Sequence, residues 1–210
     1  DSHKTLEQAS VIAKQKGGSF TGLQAAIDLV EAQISLNEQK FADAGATSQQ
    51  ALDLAGAQDK AVAVEGKYLL GLSQALAGRA AAGTTLCQEA TDAAASFGDP
   101  LLLAESQLAL AEAAMNSGDT KRAIEIALKA QTFFTNAGLA ESNWRAWLIA
   151  GLASQKAGDR NNAQSYLKSA AEGLSSLQQK WGAEVFKSYQ ARPDIQLYRR
   201  QLEQSSAAAR

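Results

Sequence analysis

The 210-residue chain has one cysteine, one histidine, one methionine and two prolines. Cys87 alone makes an intrachain disulfide impossible and rules out a cysteine-type zinc site within one chain. His3, near the start and without a neighbouring acid or nucleophile, leaves serine–histidine and cysteine–histidine catalysis almost nothing to work with. Pro100 and Pro193 are so far apart that nearly the whole chain is free to be helical. Aromatic residues make up only 6%. No apolar run approaches the roughly 18–20 residues of a membrane span, and no signal-peptide core is visible. The net charge of −2 offers no basic face for nucleic acid. A cytoplasmic protein is the expectation, and Asp1 in place of a starting methionine reads as a processed product or a piece of something longer.

What is present is alanine and leucine, both strong helix formers, within a hydrophobic share of 46%. These residues are arranged in a repeat. "LAGRAAAG" at 76–83, "NSGDTKRA" at 116–123 and "KAGDRNNA" at 156–163 place Gly78, Gly118 and Gly158 40 residues apart. Gly98 and Gly138 keep the same interval, as do Asp59 and Asp99. The same step back from Gly78 reaches Glu38, in a degenerate first unit that lacks the glycine. Each unit reads as two amphipathic helices of about 16–18 residues. In the third, Leu103, Leu108, Leu110, Ala111 and Ala114 recur at helical spacing before Gly118, and Ala123, Ile124, Ala127 and Ala130 after it.

The punctuation is chemically specific. A glycine takes the left-handed conformation that ends a helix. Asp119 and Asp159 then cap the next helix. "GDPLLL" at 98–103 combines a glycine stop, an aspartate cap and Pro100 at the first helical position. Small residues at Gly83, Ala123 and Ala163 let two antiparallel helices approach closely. A single hairpin cannot bury its apolar stripe alone, so the units must stack.

The expectation is therefore an all-α chain of about ten helices without a sheet. Residues 1–18 form a lead-in helix, 19–180 form about four hairpins, and 181–210 form capping helices and a frayed tail. Pro193 opens a last helix that ends near Gln204, and Val185, Phe186 and Tyr189 cover the end of the last hairpin.

These units resemble the tetratricopeptide repeat. Trp147, Gly151, Gly158, Asp159, Ala163 and Ala170 match its pattern in the fourth unit. Leu110, Ala111, Gly118, Asp119, Ala123 and Ala130 match in the third, and Leu70, Gly71, Gly78 and Ala90 in the second. The 40-residue period exceeds the family's usual length of about 34, as in the variant arrays of bacterial regulatory and signalling proteins. The resemblance implies a right-handed superhelical array of antiparallel hairpins and a scaffold that binds proteins or peptides on its concave face. The array specifies fold better than function.

The individual residues carry little chemistry. Cys87 falls at a small-residue position and reads as core. Glu105 and Glu112, seven apart, read as one solvated helix face. "GRAAAGTT" at 78–85 lacks the lysine of a phosphate-binding loop. Trp147 reads as core and Trp144 as partly exposed. Arg199 and Arg200 beside Tyr198 read as a solvated last helix.

The expected reading is a non-catalytic scaffold without a cofactor, binding a protein or peptide and neither nucleic acid nor membrane. The alternative is a structural spacer or self-assembly element in a multidomain protein, its partner another part of the same polypeptide or a second copy. The expected binding face carries Glu65, Tyr68 and Leu72 from the second unit, and Glu105, Leu108, Glu112 and Asn116 from the third. The fourth adds Arg145, Leu148, Leu152, Gln155 and Lys156. Its earlier part would be acidic and its later part basic, which would orient a ligand along it.

Overall fold

A computed structural model describes residues 2–15, 21–56 and 59–208. These residues form helices and turns without a strand. The eleven helices are α1 (Ser2–Gln15), α2 (Thr21–Asn37), α3 (Phe41–Ala55), α4 (Lys60–Leu76), α5 (Ala80–Phe97), α6 (Pro100–Ser117), α7 (Thr120–Asn136), α8 (Ala140–Lys156), α9 (Arg160–Trp181), α10 (Ala183–Gln190) and α11 (Pro193–Ala208). From α2 to α9, each helix packs on the next. The first helices of successive pairs also touch: α2 meets α4, α4 meets α6, and α6 meets α8. No comparable series joins the second helices. The first helices therefore touch one another in a continuous layer, the inner layer, and each second helix packs beside it, consistent with a helical repeat array.

The repeat turns follow the expected chemistry. Gly78, Gly118 and Gly158 have φ of 88°, 89° and 80°, where a side chain would be strained. Asp119 and Asp159 accept the backbone N–H groups of Arg122 and Asn162 at 3.3 and 3.1 Å. Asp99 accepts from Leu101 and Leu102, with Pro100 opening α6 behind it. The degenerate first unit keeps the left-handed turn without a glycine, through Gln39 at φ 61°. Its side-chain amide donates to the Pro193 carbonyl oxygen at 2.8 Å, so this strained turn also touches the start of α11.

Small residues let the hairpins close. Ala123 and Ala163 are buried where the helices of their pairs meet. In the second unit a Cβ added at Gly83 would lie 2.6 Å from the Ala75 nitrogen, closer than real contacts allow. Cys87 is core, as expected, and fully buried.

Three differences concern the C-terminal third. Trp144 is fully buried, and Trp147 is the half-buried one, stacked on Tyr166 with centroids 5.4 Å apart. No further hairpin follows the fourth pair, so α10 and α11 cover the side of α8 that carries Trp144. The indole N–H donates to the Tyr189 hydroxyl at 3.0 Å. Gly173 makes room for it on α9, because a Cβ there would lie 2.9 Å from the Trp144 Cβ. Phe186 and Tyr189 seal the end as expected, but Val185 points outward and is 58% exposed. Finally, α11 does not fray after Gln204: the helix continues through Ala208, and Ser205 is buried.

Candidate functional site

Helix α11 is not a solvated tail. It packs on α9 and also reaches α2 and α8, the two ends of the inner layer. Ile195, Tyr198 and Leu202 are buried, at spacings of three and four that put them on one face of the helix. Arg199 and Arg200 lie off that face, and Arg199 meets Glu203 at 3.7 Å.

Tyr198 enters a relay that ties three helices together. The Arg145 guanidinium on α8 donates to the Tyr198 hydroxyl oxygen at 3.2 Å. The Tyr198 O–H donates to Glu112 Oε1 on α6 at 2.8 Å. The guanidinium also lies over the Tyr198 ring, 5.1 Å from its centroid. Glu112 Oε2 has no hydrogen-bond partner and meets Arg145 only at 3.8 Å.

Glu112 is 3% exposed, so the expected solvated pair of glutamates is wrong at this member. The helical spacing was right, but neighbouring α8 and the returning α11 cover this turn of the face. Burial pushes the Glu112 carboxyl above the usual carboxylate range, and Arg145 and Tyr198 hold it back. Burial likewise pushes the Tyr198 phenol up, with the adjacent Glu112 charge adding to the rise.

A second ionic knot fixes the start of α11. Arg192 donates to Asp194 at 2.7 Å and to Glu141 on α8 at 3.3 Å. Its guanidinium lies 5.3 Å from the Tyr189 ring centroid.

Most of the expected binding residues line two openings, of which the second is bordered by α11. Tyr68, Leu72, Glu105 and Leu108 share a cleft of about 100 Å³ with Glu112 and Arg145. Asn116, Leu152, Gln155 and Lys156 line a second opening of about 270 Å³ together with Leu197 and Gln201 of α11. Leu148 is buried in the aromatic cluster beneath and lines neither opening described here. Lys156 is exposed and donates to the Met115 carbonyl oxygen at 3.3 Å.

In the first cleft, burial pushes the Glu105 carboxyl up to about 7, the charges of Glu65 and Asp99 raise it further, and the neighbouring Tyr68 hydroxyl lowers it. Burial also raises Glu65. Lys67, on the same helix as Glu65, turns to Glu89 at 3.1 Å. Sequence reasoning missed the buried face of α11, although Ile195, Tyr198 and Leu202 had the spacing to reveal it.

The Cys87 thiol gives no sign of reactivity. Burial pushes it up to about 12, where almost none is thiolate at neutral pH. Among the described residues, no helix is long and apolar enough to cross a membrane. No family model and no curated protein matches this chain.

Proposed function

We propose that the chain is a non-catalytic interaction scaffold of the tetratricopeptide type, a module of a larger bacterial regulatory or signalling protein, which receives an amphipathic helix on its inner layer. The observation that carries this reading is α11. An amphipathic helix of this same chain lies against α2 and α8, inserting Tyr198 between Glu112 and Arg145. Helix-in-groove recognition uses anchors at such i, i+3 and i+7 positions. A partner helix for this face would carry an aliphatic residue, a tyrosine three residues on and a leucine four further, as Ile195, Tyr198 and Leu202 do.

The test releases α11 and offers it back. A labelled peptide of residues 191–208 is titrated into the chain carrying Ile195→Asp and Tyr198→Ala, with circular dichroism verifying that the array stays helical. Saturable binding to this variant, none to the parent, and loss when Arg145→Glu is added are expected. A helical, monomeric variant that ignores the peptide would overturn the reading.

A further inference from the structure

Away from the two inner openings, the second unit of the repeat departs from the third and fourth. It pairs Val64 of α4 with Ala93 of α5. Forty residues on, the third unit has Ala104 and Phe133 at these positions, and the fourth has Trp144 and Gly173. Each of these two units therefore sets one ring against one small residue. Phe133 packs on the core that includes Ala104, and a Cβ at Gly173 would lie 2.9 Å from the Trp144 Cβ. The second unit supplies no ring at either position, and a cavity of about 290 Å³ lies there. Lys60, Ala63, Val64 and Lys67 of α4 line it with Ala93 and Phe97 of α5. It shares no residue with the two openings on the inner layer. We propose that this cavity is a docking slot for an aromatic side chain of a partner polypeptide, with an acidic residue beside the ring.

Size and charge both narrow the occupant. An apolar cavity of about 150 Å³ admits benzene, so a slot of about 290 Å³ takes a phenylalanine ring with its methylene. The charged residues in the lining are both lysines. Lys67 is engaged by Glu89 at 3.1 Å, whereas Lys60 is exposed and enters no ion pair among the described residues. The acids nearest in sequence, Asp59 and Asp99, are turned to backbone N–H groups as helix caps. An ammonium at the lip of the slot selects a carboxylate next to the incoming ring and disfavours a lysine or arginine there.

The rim points to a polypeptide. Phe97 is 45% exposed, and Leu54 and Leu101 are exposed along the same edge of the array, where α3 and α5 end and α4 and α6 begin. A small-molecule pocket encloses most of its ligand. This slot instead opens at an edge with further apolar side chains, which a chain can cover as its ring enters.

The experiment titrates the peptide acetyl-Gly-Asp-Phe-Asp-Gly-amide into the full chain at low salt and follows the methyl groups of Ala63, Val64 and Ala93 by NMR. Saturable shifts at these three, with none at Ala150 in the core of the third and fourth units, are expected. A peptide with alanine in place of phenylalanine should not bind. Ala93→Phe gives the second unit the ring that the third carries there, so it should fill the slot and abolish binding. Lys60→Glu changes only an exposed side chain and keeps the test open should Ala93→Phe fail to fold. It should weaken the acidic peptide by about twofold to fivefold, the range of an exposed ion pair, and strengthen its Lys-Phe-Lys counterpart. Equal shifts with the ring-free peptide would overturn the proposal. So would undiminished binding to a folded Ala93→Phe, or a Lys60→Glu variant that treats the two charged peptides as the parent does.

Two controls address other occupants. 3-Phenylpropionate has the ring and the carboxylate without a peptide backbone, and tighter binding of it than of the peptide would overturn the assignment in favour of a free aromatic acid. Shifts at Val64 and Ala93 that grow with protein concentration alone and vanish in Phe97→Ala would overturn it in favour of a second copy of this chain. None of these outcomes bears on the inner layer, which is tested separately by the 191–208 peptide.

Discussion

The middle of the array and its C-terminal end solve the same packing problem with different residues. Between α6 and α8 the core is mainly small: Ala104, Ala111, Ala114, Ala123, Ala127, Ala130, Ala146 and Ala150 are buried together, with Phe134 and Ile149 among the few large members. At the end, Trp144, Phe186, Tyr189 and Tyr198 pack with Leu148, Leu167 and Leu177. The position 40 residues before Trp144 is Ala104, and the one before that is Val64. Alanine suffices where another hairpin closes over the site. Where the array stops, large rings and an ionic relay join the capping helices to the last unit. Regular stacking thus needs only small residues at a fixed period. The end needs side chains that reach.

Truncating the aromatic end should do the most harm. Trp144→Ala removes a fully buried indole and leaves the Tyr189 hydroxyl without its donor; a loss of about 3–5 kcal/mol is expected in urea unfolding. A loss below about 1 kcal/mol would mean that α10 and α11 do not lean on it. The middle should instead be sensitive to enlargement. Ala123→Leu and Ala163→Leu should each cost about 1–3 kcal/mol, because a closed hairpin has no room for the added methylenes. If both melt like the parent, the close approach at the repeat alanines is wrong.

The inner face should respond to pH. Glu105 binds its proton more tightly folded, with a midpoint of about 7, than unfolded near the usual glutamate value of about 4.3. Across that window the native state holds more protons than the unfolded one. Its stability therefore falls as pH rises from about 4.5 to 7, by roughly 1–2 kcal/mol after discounting for solvent at this partly exposed group. Glu105→Gln should remove most of this slope, and an unchanged slope would assign it to other carboxyls. The smallest effect is expected at the turn of the first unit. Gln39→Gly relaxes a left-handed backbone but deletes the hydrogen bond to the Pro193 carbonyl oxygen, so the two changes should nearly cancel, within about 1 kcal/mol.

The contrast also explains what could be read without coordinates. The glycine turns, aspartate caps and buried alanines recur every 40 residues, and each is a local rule that the period repeats. Helix α8 obeys the same period, yet its tryptophans were read the wrong way round. Which of them is buried depends on α10 and α11, whose arrival no periodicity announces. Glu112 was misread for the same reason. A glutamate on an amphipathic helix reads as solvated, and only the return of Tyr198, 86 residues later, buries it. Asp99 and Pro100 needed no such context, because a helix start is decided within a few residues. Leu148 kept its helical position but was covered from beyond the repeat.

The central claim is that α11 docks on the inner layer through Tyr198 and Glu112. A double-mutant cycle between α6 and α11 tests it most directly, using Glu112→Gln, Tyr198→Phe and the pair together, each unfolded in urea at pH 7.5. The two side chains meet at 2.8 Å in a buried site, so a coupling of about 1–3 kcal/mol is expected. Effects that simply add, within about 0.5 kcal/mol, would mean that the two groups do not touch and that α11 lies elsewhere.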